Sequence, residues 1–217
     1  MNIGHNKISK NFIMQSRYNR LIETLKCVSI FYNHYKGLKM FSKISRILRM
    51  AVIKVKLLPK TGKIIVGKRS NISLSTRLKC KNGILKIGEG FHTFLNVNIC
   101  ASQDGKIVIG DGVFFNHNCT VISKKNISIG NGCSFGPNVC VYDHDHRISA
   151  EGYKPNEFVC SDVNIGNGCW IGANSVILRG SKIGNNCVIG AGCVIKGDIP
   201  DNTVVTTERS LKTRSIC

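Results

Sequence analysis

Four consecutive residues in the second half of the chain, Asp143-His144-Asp145-His146, combine the side chains that most often move protons in proteins. The ordinary pKa of histidine lies close to neutral pH, so an imidazole can take a proton from a weakly acidic group. A flanking carboxylate can raise the imidazole pKa or fix its tautomer. We therefore predict a general base in this tetrapeptide. We expect the two imidazoles to face opposite sides of the segment, so that only one of them serves.

Two other stretches carry groups that could assist such chemistry. Asn116-His117-Asn118 supplies two amides, and an amide can donate a hydrogen bond to a developing oxyanion or hold a hydroxyl group. The structural alternative for these asparagines is a ladder of side-chain hydrogen bonds along stacked turns. Trp170 is the only tryptophan. It follows a position predicted to point inward, so we expect its indole on the outer surface, where it can contact a ligand.

A six-residue repeat must position these groups. Between Val163 and Pro200 an isoleucine recurs at every sixth position: Ile165, Ile171, Ile177, Ile183, Ile189 and Ile195. A period of six fits neither a helix nor an ordinary strand, and it is typical of parallel β-helices, in which short repeats stack on one another. The repeat predicts an all-β solenoid.

Two further positions of the six-residue unit have a fixed character. Glycine follows the isoleucine in four repeats: Gly166, Gly172, Gly184 and Gly190. We expect these glycines to supply the unusual backbone angles of the corners. Four residues after each isoleucine a small side chain occurs, and strand alternation places it on the same inward face as the next isoleucine. These small residues are Cys169, Ser175, Ser181, Cys187 and Cys193.

With this repeat the sequence resembles the hexapeptide-repeat acyltransferases, whose left-handed β-helix takes three hexads per triangular coil. The resemblance runs from about Ile53 to Asp201. Its most specific piece, from Cys169 to Gly192, is similar to the galactoside and maltose O-acetyltransferase branch and to O-acetyltransferases of capsule and O-antigen sugars. The resemblance implies a cytoplasmic homotrimer that transfers an acetyl group from acetyl-CoA to a sugar hydroxyl in surface polysaccharide biosynthesis.

The resemblance also implies roles for single residues at the acceptor side. In the resembling enzymes the base is a histidine at the opening of the long loop, and the match falls on His144. Asn116 matches an asparagine near the reacting centre, so both residues are the predicted catalytic pair. Their neighbours Asp143, His146 and Asn118 are predicted to bind the acceptor.

The donor groove is implied in the same way. Trp170 matches a tryptophan that lines this groove beside the catalytic histidine. Ala173 and Ala191 match positions whose backbone contacts the pantetheine arm. Lys196 and Arg214 are the cations that we expect to bind coenzyme A, with Arg214 at a phosphate.

The end of this groove departs from the family pattern. Lys196 stands where the family often has threonine followed by lysine, and Gly197 replaces that lysine. Residues 207–209 read Thr-Glu-Arg where the family often has Gly-x-Pro.

The chain is predicted to have three parts. Residues 1–52 form a basic helical segment, residues 53–205 form the β-helix with an active-site loop at 143–162, and residues 206–217 form a tail. The basic helical segment either caps the first open coil or lies on an anionic membrane surface, and both roles remain open.

Charge is concentrated in the first part of the chain. Residues 1–80 contain 18 Lys and Arg against one acid, whereas residues 81–217 contain 13 against 11. Such a region favours anionic lipid head groups or nucleic acid, but no nucleic-acid motif accompanies it, so no nucleic-acid partner is expected.

With neither a signal peptide nor an apolar run of the ~18–20 residues that span a membrane, we expect a cytoplasmic location, with peripheral membrane contact left open.

Cysteine is abundant, with 11 residues. In a reduced protein these side chains act as compact hydrophobic groups, and we expect Cys119 and Cys133 to point inward like the cysteines of the hexads. No CxxC pair exists, so no metal site is expected.

Three other functions compete with the O-acetyltransferase. An amine acceptor, such as an amino-sugar nucleotide or serine, would make the chain an N-acetyltransferase or a serine acetyltransferase. A γ-type carbonic anhydrase would use His117, His144 and His146 as zinc ligands, although the histidine pair of that family is more widely spaced. A non-catalytic β-helix would have no affinity for coenzyme A.

Overall fold

A computed structural model of the protein describes residues 62–208. Three groups of predictions lie outside the described residues: the basic helical segment at 1–52, the start of the predicted β-helix at 53–61, and the end of the tail with Arg214. Within the described residues no helix is long and apolar enough to cross a membrane.

Strands are the regular elements of the described residues. In chain order they are β1 (Lys63–Val66), β2 (Arg77–Cys80), β3 (Ile84–Ile87), β4 (His92–Thr93), β5 (Asn98–Ala101), β6 (Lys106–Ile109), β7 (Phe114–Phe115), β8 (Thr120–Ser123), β9 (Asn126–Ile129), β10 (Ser134–Phe135), β11 (Cys140–Tyr142), β12 (His144–Ser149), β13 (Gly152–Cys160), β14 (Val163–Ile165), β15 (Trp170–Ile171), β16 (Val176–Ile177), β17 (Lys182–Ile183), β18 (Val188–Ile189), β19 (Val194–Ile195), β20 (Asp198–Ile199) and β21 (Val204–Val205).

All strands except β12 and β13 belong to three parallel sheets around one core. Sheet A has the order β1-β3-β6-β9-β14-β17-β20, sheet B the order β4-β7-β10-β15-β18-β21, and sheet C the order β2-β5-β8-β11-β16-β19. From β2 onward the chain passes from sheet C to A to B and back to C, so each complete coil gives one strand to each sheet. In the first coil, an isolated bridge from Asn71 to His92 takes the place of a strand in sheet B. The described residues therefore make about six turns of a parallel β-helix, which confirms the predicted solenoid.

The predicted hexad register is the observed one. Asn164 pairs with Lys182 and Trp170 pairs with Val188, in each case 18 positions or three hexads along the chain. The six isoleucines of the repeat are buried, and so are the small residues predicted to point inward. Cys119 and Cys133 are buried as well, which confirms their structural role.

Three phenylalanines fill the earlier coils. Phe91, Phe115 and Phe135 are buried, with ring centroids 5.8 Å apart in the first pair and 4.3 Å apart in the second. Each buried aromatic side chain contributes about 1.5–3 kcal/mol to folding. One edge-to-face contact and one stacked contact between these rings thus join the coils that precede the regular hexads.

The glycines after the isoleucines have a different physical reason from the expected one. The left-handed φ angles lie two residues further on, at Gly168 (66°), Asn174 (59°), Gly180 (81°), Asn186 (54°) and Gly192 (70°). At the glycines themselves, neighbouring coils come closest together. A Cβ on Gly166 would stand 2.6 Å from the carbonyl carbon of Gly184, and one on Gly172 would stand 2.6 Å from the backbone nitrogen of Ala191. Close backbone approach, and not backbone angle, requires glycine here.

The corners of the coils form three edges of a triangular prism. We call the corners between sheet B and sheet C the B–C edge, and those between sheet C and sheet A the C–A edge. At the C–A edge, between β11 and β14, residues 143–162 leave the coil. They form an antiparallel hairpin of β12 and β13 at the position of the predicted active-site loop.

Candidate active site

The base of the hairpin carries a histidine and an aspartate in direct contact. Nδ1 of His144 lies 2.9 Å from Oδ1 of Asp143, and the His144 side chain is only 12% exposed. Because an ionised carboxylate can only accept, Nδ1 of the neutral imidazole donates this hydrogen bond. Nε2 then keeps its lone pair, so His144 can accept a proton from a substrate.

Asp143 is fully buried and its oxygens are occupied by the preceding coil. Oδ2 accepts from the Ser123 hydroxyl at 2.6 Å and from the Lys125 N–H at 2.8 Å, and Oδ1 accepts from the Lys124 N–H at 2.9 Å. Burial acts to raise the pKa of Asp143, but hydrogen bonds from His144, Ser123 and the two backbone groups outweigh it and lower that pKa.

The burial of Asp143 changes the role predicted for it. A carboxylate with no exposed surface cannot contact an acceptor, so the prediction that Asp143 binds substrate is not supported. Its geometry suits an ionised group that fixes the tautomer and orientation of His144. The flanking carboxylate considered from the sequence is therefore a buried anchor.

Aromatic rings surround the two histidines. Phe158 of β13 lies 5.6 Å from the His144 ring and 4.6 Å from the His146 ring, measured between centroids. His146 also contacts Tyr153 at 4.9 Å. The expectation that the imidazoles face opposite sides is wrong, because residues two apart in a strand share a face. They differ in burial instead: His146 is exposed, and only His144 contacts Asp143.

The following coil also holds the hairpin. Nε of Arg179, between β16 and β17, lies 2.5 Å from Oδ2 of Asp145. The Arg179 side chain is 24% exposed, so this ion pair is partly shielded from water. His144 thus lies between two anchors, one from the coil before it and one from the coil after it.

The two asparagines occupy the B–C edge. Asn118 belongs to a ladder in which amide groups of successive coils are joined in the order Asn96, Asn118, Asn138 and Asn174. The structural alternative therefore applies to Asn118. The Oδ1 of Asn116 accepts from the His117 N–H at 2.8 Å and takes no part in this ladder.

The predicted donor residues lie on sheet B and at two edges. Trp170 is 57% exposed on the outer face of β15, as expected. Ala173 and Ala191 occupy the B–C edge in successive coils, where the Gly192 N–H donates to the Ala173 carbonyl at 2.8 Å. Lys196 is exposed at the C–A edge, two coils beyond the hairpin.

One chain does not bring all predicted residues together. His144, His146 and Lys196 lie at the C–A edge, whereas Asn116, Ala173 and Ala191 lie at the B–C edge. Sheet C separates the two edges.

The zinc alternative gains no support from the described residues. His117 lies at the B–C edge, away from the hairpin that carries His144 and His146. Between residues 62 and 208, no group of three His, Cys, Asp or Glu side chains could hold a metal ion.

Four contributors to the site were missed from the sequence: Ser123, Lys124, Phe158 and Arg179. Ser123 had a usable signal, because a polar residue occupies an inward position at the end of a strand where the equivalent residues are Cys80 and Ala101. The other three carry no pattern that distinguishes them from ordinary surface residues.

Comparison with known proteins defines the class. The family profile "Bacterial transferase hexapeptide (six repeats)" matches residues 162–197. The galactoside O-acetyltransferase of Lactococcus lactis is 38% identical over 120 residues, which cover 55% of this chain and 57% of that protein. The putative lipopolysaccharide biosynthesis O-acetyl transferase WbbJ of Escherichia coli is 31% identical over 133 residues, which cover 57% and 68%.

Among solved structures, a mutant of the N-acyltransferase AntD from Bacillus cereus, in complex with an amino-sugar nucleotide and coenzyme A, has a TM-score of 0.57 at 18% identity. It matches 76% of this chain and 89% of its own, and at this identity it shows the fold alone. Repeats, parallel β-helix and relatives together define a transferase of the hexapeptide type. The chain belongs to the hexapeptide-repeat acyltransferase family. It spans somewhat more than half the length of the Lactococcus relative.

Proposed function

We propose that the protein is an acetyl-CoA-dependent O-acetyltransferase that acts on a sugar hydroxyl. The observation that carries this proposal is the Asp143–His144 pair, which leaves Nε2 of a largely buried imidazole available as a proton acceptor. An alcohol is a poor nucleophile at neutral pH, so its acylation needs such a base. The names of the Lactococcus and Escherichia relatives support the reaction and the class of acceptor.

His144 performs the proton transfers of this reaction. Acetyl-CoA supplies the acetyl thioester when it is bound. Nε2 accepts the hydroxyl proton as the acceptor oxygen bonds to the acetyl carbon, and it returns that proton to the coenzyme A sulfur as the carbon–sulfur bond breaks. Asp143 stabilises the imidazolium that exists between these two steps, because its lowered pKa keeps it ionised at neutral pH.

Asn116, Trp170 and the alanines complete the proposed site from a neighbouring copy. An amide such as that of Asn116 can donate to the oxyanion that forms on the acetyl carbonyl. Trp170, Ala173, Ala191 and Lys196 would hold coenzyme A. The separation of the B–C and C–A edges within one chain supports a homotrimer in which the C–A edge of one copy faces the B–C edge of the next.

An acceptor screen tests the proposal. Thiol release from acetyl-CoA should depend on added sugar and should fail with amino sugars whose hydroxyls are blocked. Release that requires a free amine would favour the N-acetyltransferase alternative. Lack of coenzyme A binding and of thiol release with every acceptor would leave the non-catalytic β-helix.

Surface polysaccharide, or its lipid-linked precursor, is the proposed source of the sugar. The relative WbbJ, named for lipopolysaccharide biosynthesis, supports it, as does the basic sequence of residues 1–52.

Contact of residues 1–52 with the inner face of the membrane is worth on the order of 1 kcal/mol per basic residue. Deleting residues 1–52 should therefore weaken binding to anionic vesicles, whereas unchanged binding would leave only the capping role.

A further inference from the structure

Lys124 lies at the C–A edge, at the position of the preceding coil that is equivalent to His144. Tyr142 pairs with Ile122, so two residues further on His144 corresponds to Lys124. Neighbouring strands lie about 4.8 Å apart, and the two backbones are therefore close. The Lys124 side chain extends over the hairpin: Nζ lies 3.8 Å from the centroid of the Phe158 ring, which itself contacts both histidines. A positive charge thus lies against the aromatic ring that contacts the predicted base.

The charge of Lys124 differs from that of the other cations around the hairpin. Those cations pair with carboxylates: Lys125 with Asp162, Arg147 with Glu157, Lys154 with Glu151, and Arg179 with Asp145. Lys124 is held by two neutral groups, the Phe158 ring and Oε1 of Gln103 at 2.7 Å. Among residues 62–208 it forms no ion pair, so its charge is left for a ligand.

The surroundings of Lys124 favour an anion over a neutral group. Lys81 lies at the equivalent corner position two coils earlier, because Cys80 pairs with Ala101 and Ala101 with Ser123. Residues 62–106 contain eight Lys and Arg against two acids. Three carboxylates stand near this position in the sequence. Asp104 follows Gln103, Asp145 follows His144 and pairs with Arg179, and Asp143 is buried and fully hydrogen-bonded. Lys81 and Lys124 would therefore attract an anionic substituent that approaches His144 from the preceding coils.

We propose that Lys124 forms a subsite for a negatively charged substituent of the acceptor, a carboxylate or a phosphate ester, next to the hydroxyl that His144 deprotonates. The Phe158 ring and Gln103 orient the ammonium group without neutralising it. The subsite would make the enzyme prefer anionic over neutral sugars. It rests on the proposed function for the identity of the acceptor but not for the binding itself.

Binding of three sugars without acetyl-CoA tests the subsite. Methyl β-glucuronide, glucose 1-phosphate and methyl β-glucoside are titrated at constant ionic strength and followed by NMR. At least one anion should bind wild type about tenfold or more tightly than the glucoside, as expected for a charge-assisted hydrogen bond. Which anion binds better distinguishes a uronic acid from a sugar phosphate.

Matched variants show whether Lys124 causes the preference for anionic sugars. Lys124→Gln should abolish the preference, Lys124→Arg should keep most of it, and Lys86→Gln, an equal charge change on sheet A, should leave it intact. Lys124→Gln keeps the backbone N–H that Asp143 needs, and its melting temperature should match wild type.

Two results would overturn the subsite: wild type without any preference for an anion, or a preference that survives in Lys124→Gln. A large loss of coenzyme A affinity in Lys124→Gln would overturn it too, because Lys124 would then serve the donor. A chain that binds the anions but never transfers acetyl would refute the proposed function alone. Transfer to neutral sugars only would refute the subsite alone.

Discussion

Among single residues, the Asp143–His144 pair depends on a hydrogen bond between two residues that are far apart in the sequence but adjacent in the fold. Ser123 is 20 positions before Asp143, yet one coil brings its hydroxyl to 2.6 Å from the carboxylate. A buried charge is costly unless it is well hydrogen-bonded, and here four donors meet two oxygens. The site therefore uses the regular coil spacing to keep an ionised aspartate inside the protein.

Replacing Asp143 by asparagine should lower kcat by about 10–100-fold, the equivalent of one charge-assisted hydrogen bond. The amide keeps the shape but cannot stabilise the imidazolium. Steady-state kinetics with saturating acetyl-CoA measures the loss, and coenzyme A affinity should not change. Ser123→Ala, which leaves the carboxylate in place, should cost less. An unchanged kcat in Asp143→Asn would remove Asp143 from the mechanism.

The same variant has a signature in acid. Because the folded pKa of Asp143 lies below its ordinary value of 3.8, its contribution to stability is present above that pH and is lost as the pH falls through the folded pKa. Melting temperatures measured from pH 5 down to pH 2.5 should therefore fall less steeply for Asp143→Asn than for wild type. Parallel curves would show that the aspartate is not held ionised by its contacts.

At the scale of elements, the hexads could be predicted and the hairpin could not. The isoleucine and the small residue of each hexad both mark inward-facing positions. The hexad pattern therefore predicts the position of every strand in the regular coils. The hairpin of β12 and β13 packs little of its surface into the core: Ile148 is 80% exposed and Tyr153 is 60% exposed. Its strands are held by pairing with each other and by the ion pair with Arg179. Neither interaction requires a periodic pattern of apolar residues that the sequence would show.

The candidate site likewise has residues that could be predicted from the sequence and residues that could not. His144 and Trp170 could be selected from residue type and resemblance. The burial of Asp143, the ladder that contains Asn118 and the position of Lys124 could not. These depend on which residues stack from coil to coil, and the register changes through the irregular coils before Ile129.

Two neighbouring glycines should respond differently to substitution. Gly130→Ala would place a Cβ 2.6 Å from the carbonyl of Gly166, so it should destabilise the fold by about 1–3 kcal/mol. Gly132→Asn should have little effect, because Gly132 has a left-handed φ of 65° and open space, and asparagine adopts this φ at Asn138 and Asn174. Denaturant unfolding measures both. Equal losses would contradict close coil approach as the reason for glycine.

For the whole molecule, we propose an active site that is completed by a second copy of the chain. The face that carries Trp170 and the edge that carries His144 are separated in one copy by the triangular cross-section. A head-to-tail ring can bring unlike surfaces together, and three copies close such a ring. The flat outer sheets of the solenoid suit this packing.

Mixed assemblies of two inactive variants should regain activity. In a trimer of His144→Ala and Asn116→Ala chains, one of the three interfaces joins an intact His144 to an intact Asn116. Random mixing at equal amounts then restores about a quarter of the wild-type sites. Co-expression with two tags and purification of the hybrids measures this. Activity no higher than the mean of the two parents would place the site within one chain.

The role of His144 as the general base can be checked by measuring kcat for wild type, His144→Ala and His146→Ala with saturating acetyl-CoA and one acceptor. His144→Ala should lower kcat by about 10²–10⁴-fold, the usual contribution of a positioned base, with folding and coenzyme A affinity unchanged. His146→Ala should cost far less, because His146 is exposed and only His144 contacts Asp143. Reversed losses would move the base to His146, and full activity in both variants would contradict the mechanism.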